Sequence, residues 1–185
     1  LIAGNLGQTN KLYVNDGTST PFATDTTGTA IGSDTDSTRS VVLGDIDGDG
    51  DLDLVVANNG QTNKFYLNNG TSTPFATDTT GTAIGSDNDG TTSVVLGDID
   101  GDGDLDLITG NRAATNKLYL NDGTSTPFSG LTTGRAISND TNNSLSVVLA
   151  DIDGDGDLDL ITGNSAATNK LYLNGTTSSP FSGVT

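Results

Sequence analysis

The acidic nonapeptide Asp45-Ile46-Asp47-Gly48-Asp49-Gly50-Asp51-Leu52-Asp53 returns unchanged at Asp98–Asp106 and at Asp151–Asp159, 53 residues on each time. A period of that length makes each copy one small supersecondary unit that buries its faces against its neighbours. The rest of the chain keeps the same step. Asn10-Lys11-Leu12-Tyr13 recurs as Asn63–Tyr66, Asn116–Tyr119 and Asn169–Tyr172, and Pro21-Phe22 recurs at Pro74, Pro127 and Pro180.

Each period offers four strands. Val41–Leu43 is an apolar run before the acidic loop, and Leu54–Ala57 follows it directly. Lys64–Leu67 comes after the turn signal Asn58-Asn59-Gly60, and Thr82–Gly85 is a weaker fourth strand. Turn residues separate the runs, as between strands. The 25 glycines, with abundant Asn, Thr and Asp, disfavour long helices. The apolar runs do not alternate cleanly, which predicts sheets covered on both faces. The expected fold is all-β: a β-propeller of four-stranded blades of about 53 residues, about three and a half in this chain. A β-solenoid is the rival, disfavoured by its shorter rungs. One repeat domain, 1–185, is expected, with a partial blade at 1–40, blades at 41–93 and 94–146, and a partial blade at 147–185. The chain starts with Leu1 and has no Met, so it reads as an excised piece of a longer chain or one subunit of a ring completed by another copy.

Alternate carboxylates at positions 1, 3 and 5, glycine at 6, a backbone carbonyl at 7 and a carboxylate at 9 form an oxygen cage for a hard cation. The expected ligands are Asp45, Asp47, Asp49, Asp51 (by its carbonyl) and Asp53 in the first loop. They are Asp98, Asp100, Asp102, Asp104 and Asp106 in the second, and Asp151, Asp153, Asp155, Asp157 and Asp159 in the third. Calcium, with six to eight oxygen ligands, fits this set better than magnesium. Zinc and copper lack their usual ligands, since His and Cys are absent. An EF-hand is excluded, because its twelfth position needs Glu and here holds Val56, Thr109 or Thr162. Without an ion, two such carboxylates about 4 Å apart repel by about 4 kcal/mol at an effective dielectric near 20. About three calcium ions are therefore expected, one per loop. Leu52, Leu105 and Leu158 at position 8 are expected to turn inward.

The formal charge is −17, and all 24 acidic residues are Asp. No basic patch exists for nucleic acid, and no apolar run is long enough to insert in a membrane. Without His, Cys or Glu, catalysis has little to work with, and the chain is expected not to be an enzyme. Calcium near the millimolar range would keep the loops filled outside the cell, which points to an extracellular or cell-surface place. The recurrent Tyr and Phe are expected in the core between blades. The recurrent Lys11, Lys64, Lys117 and Lys170 are expected to pair with acids or lie along a strand face. Positions that break the repeat, such as Arg39, Arg112, Leu131 and Arg135, are where specificity has room to reside.

The stretch Val41–Asn58 followed by Lys64–Thr71 resembles the FG-GAP/VCBS repeat, a family that includes the integrin alpha-chain propeller and many bacterial surface proteins. The resemblance covers the whole chain. It implies a seven- or eight-bladed propeller with calcium in the loop between the first two strands of a blade. Ala57-Asn58 and Gly110-Asn111 stand where the integrin type has its glycine-alanine-proline signature, so the bacterial type is closer. The function expected from this is a calcium-stabilised structural or adhesive module. Its partners would be other copies, flanking parts of a longer chain, or an extracellular protein or glycan. A glycan-binding propeller, or a piece of a polysaccharide-degrading enzyme, is the alternative.

Overall fold

The computed structural model describes residues 1–175 and 180–181, so the end of the last expected blade (147–185) lies partly outside the described residues. Among these, every regular element is a strand. Among the described residues no helix is long and apolar enough to cross a membrane.

Among the described residues fourteen short strands form four antiparallel sheets in chain order. The first holds β1 (Ile2–Ala3), β2 (Lys11–Leu12) and β3 (Thr29–Ala30). The second holds β4 (Thr38–Gly44), β5 (Asp53–Asn58), β6 (Lys64–Tyr66) and β7 (Thr82–Ala83). The third holds β8 (Gly90–Gly97), β9 (Asp106–Arg112), β10 (Lys117–Tyr119) and β11 (Arg135–Ala136). The fourth holds β12 (Asn143–Ala150), β13 (Asp159–Ser165) and β14 (Lys170–Tyr172). All four strands expected in the first complete period are present. The weakest, β7, is a two-residue edge strand.

Every residue of β5 is buried, as sheets covered on both faces require. The cover comes from the next sheet along. One apolar cluster joins the first two sheets through Ile31, Leu54, Tyr66 and Phe75. A second joins the middle pair through Ile46, Val55, Phe65, Leu107, Tyr119 and Phe128. A third joins the last pair through Ile99, Ile108, Leu118, Leu160, Tyr172 and Phe181. The recurrent aromatics of the later copies are thus core residues at these seams, while in the first sheet Tyr13 is only half-buried and Phe22 is partly exposed.

A polar lock crosses each seam. The Lys64 ammonium reaches Asp34 and Asp36, in the segment that joins the first sheet to the second, at 2.7 Å each. The Tyr66 hydroxyl and the Gly81 N–H donate to Asp34 as well, at 2.7 and 2.6 Å. Lys117 repeats this on Asp87 and Asp89, with Tyr119 and Gly134 donating to Asp87. In the last copy Asn142 replaces the second acid, and Lys170 holds Asp140 alone. Burial pushes the Asp34 and Asp87 carboxyls up, but the bonds from Lys, Gly and Tyr outweigh it and hold both below the usual range. The recurrent lysines therefore pair with acids, whereas Lys11 donates to the Gly28 carbonyl.

The long first strands each carry one register break, between Thr38 and Ser40, Thr91 and Ser93, and Ser144 and Ser146. The residues skipped are Arg39, Thr92 and Leu145, a position where the copies all differ. A bulged residue is left out of the backbone ladder, although the Thr92 hydroxyl still donates to the Gly110 carbonyl of the paired strand at 3.0 Å.

Candidate metal centre

Each acidic loop is a turn that joins the first two strands of a sheet. β4 ends at Gly44 and β5 begins at Asp53, and Gly44 pairs with Asp53 across the neck. The glycines at positions 4 and 6 let the chain coil tightly. Gly50, Gly103 and Gly156 at position 6 have φ of 95°, 99° and 97°, a region open to glycine at little cost.

The coil turns backbone N–H groups toward the position-1 carboxylate. Asp45 accepts from Gly48 at 2.9 Å, Asp49 at 3.1 Å and Gly50 at 3.0 Å. Asp98 accepts from Gly101 and Gly103, and Asp151 from Gly154 and Gly156. The position-9 carboxylate is fully buried. Asp106 accepts the Asn121 N–H at 2.8 Å on one oxygen and the Ile99 N–H at 2.9 Å on the other. Asp53 and Asp159 do the same with Asn68 and Ile46, and with Asn174 and Ile152.

These restraints bring positions 1, 3 and 9 together. In the trios Asp45–Asp47–Asp53, Asp98–Asp100–Asp106 and Asp151–Asp153–Asp159, one oxygen from each residue lies within 4.8 Å of the other two. Three carboxylate oxygens gathered this closely can meet one cation, and hard divalent ions take all-oxygen ligand sets. The donor set is all oxygen. Asp100 also buries an oxygen, Oδ1, that has no hydrogen-bond partner among the described residues. A buried unpaired carboxylate oxygen is costly unless a cation meets it.

The remaining predicted ligands lie outside the trios. Asp49, Asp102 and Asp155 at position 5 accept the N–H groups of Asp51, Asp104 and Asp157 at 2.9, 3.0 and 3.0 Å. The latter three sit at position 7, where the backbone carbonyl rather than the carboxylate was the expected ligand.

The leucines of position 8 do not behave alike. Leu105 and Leu158 pack inward, each covering a glycine of the preceding sheet, Gly44 and Gly97. Leu52 is 56% exposed, which corrects the expectation for the first loop.

Crowded carboxylates without a counter-charge hold protons tightly. Burial, reinforced by the Asp100 and Asp102 charges, pushes Asp106 up to about 6 against its two backbone donors. Burial is also the main cause of the upward shifts of Asp47, Asp53 and Asp100. A divalent cation would supply the missing charge.

Sequence reasoning missed two sets of residues. The first is the lock acids Asp34, Asp87 and Asp140. Their signal was a constant 30-residue offset to the following lysine. The second is Asn68, Asn121 and Asn174, fifteen residues beyond the position-9 acid they bond. They also keep the 53-residue step.

A family model described as FG-GAP-like repeat matches residues 1–56, 45–109 and 98–162. The second and third matches begin at the first residue of an acidic loop, and each match ends three residues beyond one. No curated protein matches the chain at a significant level.

Proposed function

This chain belongs to the FG-GAP-like repeat family, and from that premise we propose that it is a calcium-stabilised segment of an extracellular β-propeller, serving as a structural or adhesive module. The observation that carries the reading is the convergence of three carboxylates in each of three loops. Asp45, Asp47 and Asp53 would hold the first ion, and the matching trios the second and third. The ion supplies charge neutralisation, not chemistry. The loops stand between the first two strands of their sheets, so filling them fixes the hairpins on which the seams are built. Millimolar extracellular calcium suits sites of this oxygen-rich, exposed kind.

Ring closure is part of the proposal. The last sheet presents Ile152, Ile161 and Leu171 at 48, 37 and 47% exposure, while the matched Ile99, Ile108 and Leu118 are at most 1% exposed. That face has the composition of a seam and would receive a further blade of the same repeat, from another copy or from a longer chain. A binding rather than a catalytic role is proposed, because the convergent acids are placed as ligands and the remaining polar clusters are closed locks.

The test is calorimetric titration of chelator-treated, desalted protein with calcium and, separately, magnesium. Uptake of about three calcium ions per chain, with magnesium at least tenfold weaker, is expected. Absence of calcium uptake at millimolar concentration would overturn the metal reading and the extracellular placement together.

A further inference from the structure

We propose that the seam between the first two sheets contains a binding site for a single uncharged aromatic ring. The copies of the repeat make the case. At the seam between the second and third sheets, Phe65 of β6 is buried and meets Phe128 edge to face, with ring centroids 6.2 Å apart and planes at 60°. One period earlier the matched residues are Leu12 of β2 and Phe75. Leu12 lacks the ring, as Leu118 does at the third seam, but here the residue two positions on is the smaller Val14, where the later copies have Leu67 and Leu120. Phe75 keeps its place in the cluster that joins the two sheets. The space that Phe65 fills at one seam is left open at the other.

The result is a cavity of about 110 Å³, lined by Leu12, Val14, Ala30, Ile31, Pro74 and Phe75. The hydroxyl-bearing Thr29, Ser72 and Thr73 also border it. Most of the wall is apolar and Val14 stands exposed at the mouth, so an apolar guest would displace water that gains few hydrogen bonds there. The occupant's chemistry is set by the chain's own example: a ring presented toward the proline-phenylalanine turn, as Phe65 is toward Phe128. A phenol fits the same pattern, with its ring in the cavity and its hydroxyl among the Thr and Ser groups. A charged ring does not, because nothing buried there offers a counter-charge.

The experiment titrates the full, calcium-loaded chain with p-cresol, and in a second arm with N-acetyl-tyrosinamide, following methyl NMR signals. Saturable shifts confined to Leu12, Val14, Ala30 and Ile31 are expected, with a dissociation constant on the order of 1 mM or below. Binding of both probes marks a mouth wide enough for a side chain borne on a peptide; binding of p-cresol alone marks a free small molecule. Leu12→Phe, which places the ring of the next copy in the cavity, should weaken p-cresol at least tenfold. It should also raise the melting temperature of the unliganded protein. Val14→Leu, a smaller change, should weaken binding about threefold without disturbing the fold. No saturable shift up to about 10 mM would overturn the proposal. So would binding that Leu12→Phe leaves intact in a folded protein.

Discussion

Asp106→Asn separates the cost of the crowded carboxylates from the gain of the ion. In the native chain both oxygens of Asp106 accept backbone N–H groups, from Asn121 and Ile99. The amide keeps one acceptor and turns its NH2 toward the other N–H. Losing that charge-assisted bond costs about 1.5–3 kcal/mol. Against this, the Asp106 carboxyl is pushed up to about 6, roughly two units above an unfolded Asp. Holding it ionised at neutral pH costs about 2 kcal/mol, after discounting for solvent screening of a group close to an exposed loop. The two effects nearly cancel, so in chelator the variant should lie within about 1 kcal/mol of the parent. In calcium the outcome differs. Each site adds about 2.7 kcal/mol at 100 times its dissociation constant, about 8 kcal/mol for three. The variant loses one share, which at 2–4 °C per kcal/mol is a deficit of about 5–10 °C, seen only with calcium. Thermal melts by circular dichroism, with calcium and with chelator, read this directly. The pH dependence carries a second check. A carboxyl raised in the folded state contributes stability that is full below its unfolded value and lost as pH rises through about 6. In chelator the parent should therefore melt higher at pH 5 than at pH 7.5, and the variant should show a shallower fall. Equal calcium increments in parent and variant would refute the assignment of Asp106 to a cation site.

The seam locks give the opposite pH slope: Asp34 and Asp87 are held below their usual range, so their stabilisation is present above about pH 4 and lost as pH falls through their folded values. Lys117→Met should cost about 2–3 kcal/mol at pH 7 and less at pH 3, measured by urea unfolding at each pH. Ala113 and Ala166 adopt φ of 54° and 57° where earlier copies have Gly60 and Gly7, so Ala113→Gly and Ala166→Gly should each stabilise by about 0.5–1 kcal/mol in the same assay. Ile108→Ala should cost about 2–5 kcal/mol, whereas Ile161→Ala, one period on and partly exposed, should cost under about 1.5 kcal/mol.

The hairpins and their loops were legible because their signals are local. Val41–Leu43 and Leu54–Ala57 are contiguous apolar runs, and an acidic, glycine-bearing loop between them leaves one way to fold. The approach of the carboxylates at positions 1, 3 and 9 was legible for the same reason. The hydrogen bonding of position 5 was not. Whether Asp49 faces an ion or caps the N–H of Asp51 depends on loop geometry that spacing alone does not fix. The seam locks were hidden for another reason. Asp34 lies in the connection between the first two sheets and Lys64 on a strand 30 residues on, and nothing local in the sequence shows that such an acid and lysine meet. Leu52 shows the limit of reading a repeat as uniform: its sequence matches Leu105, but exposure depends on the neighbouring sheet, which differs.

The loops are also wired to one another. The Asn121 amide NH2 donates to the carbonyl of Ile46, at position 2 of the first loop, at 2.7 Å, while its backbone N–H holds Asp106 of the second loop. Asn174 repeats the link, from Asp159 of the third loop to the Ile99 carbonyl of the second, at 2.9 Å. Ile46 and Ile99 are themselves buried in the seam clusters. An ion that fixes Asp106 therefore fixes Asn121, and Asn121 fixes the backbone between the first two ligands of the loop before it. Ordering one loop spares the next part of its ordering cost, which is a coupling free energy in the same direction for both. Calcium uptake should accordingly be positively cooperative, with a Hill coefficient above 1. Asn121→Ala removes the bridge without touching a ligand carboxylate. In that variant the first loop should fill independently of the other two, and the titration should flatten while the number of ions stays unchanged. A Hill coefficient that Asn121→Ala leaves unaltered would show that the loops fill alone and that the bridge serves packing only.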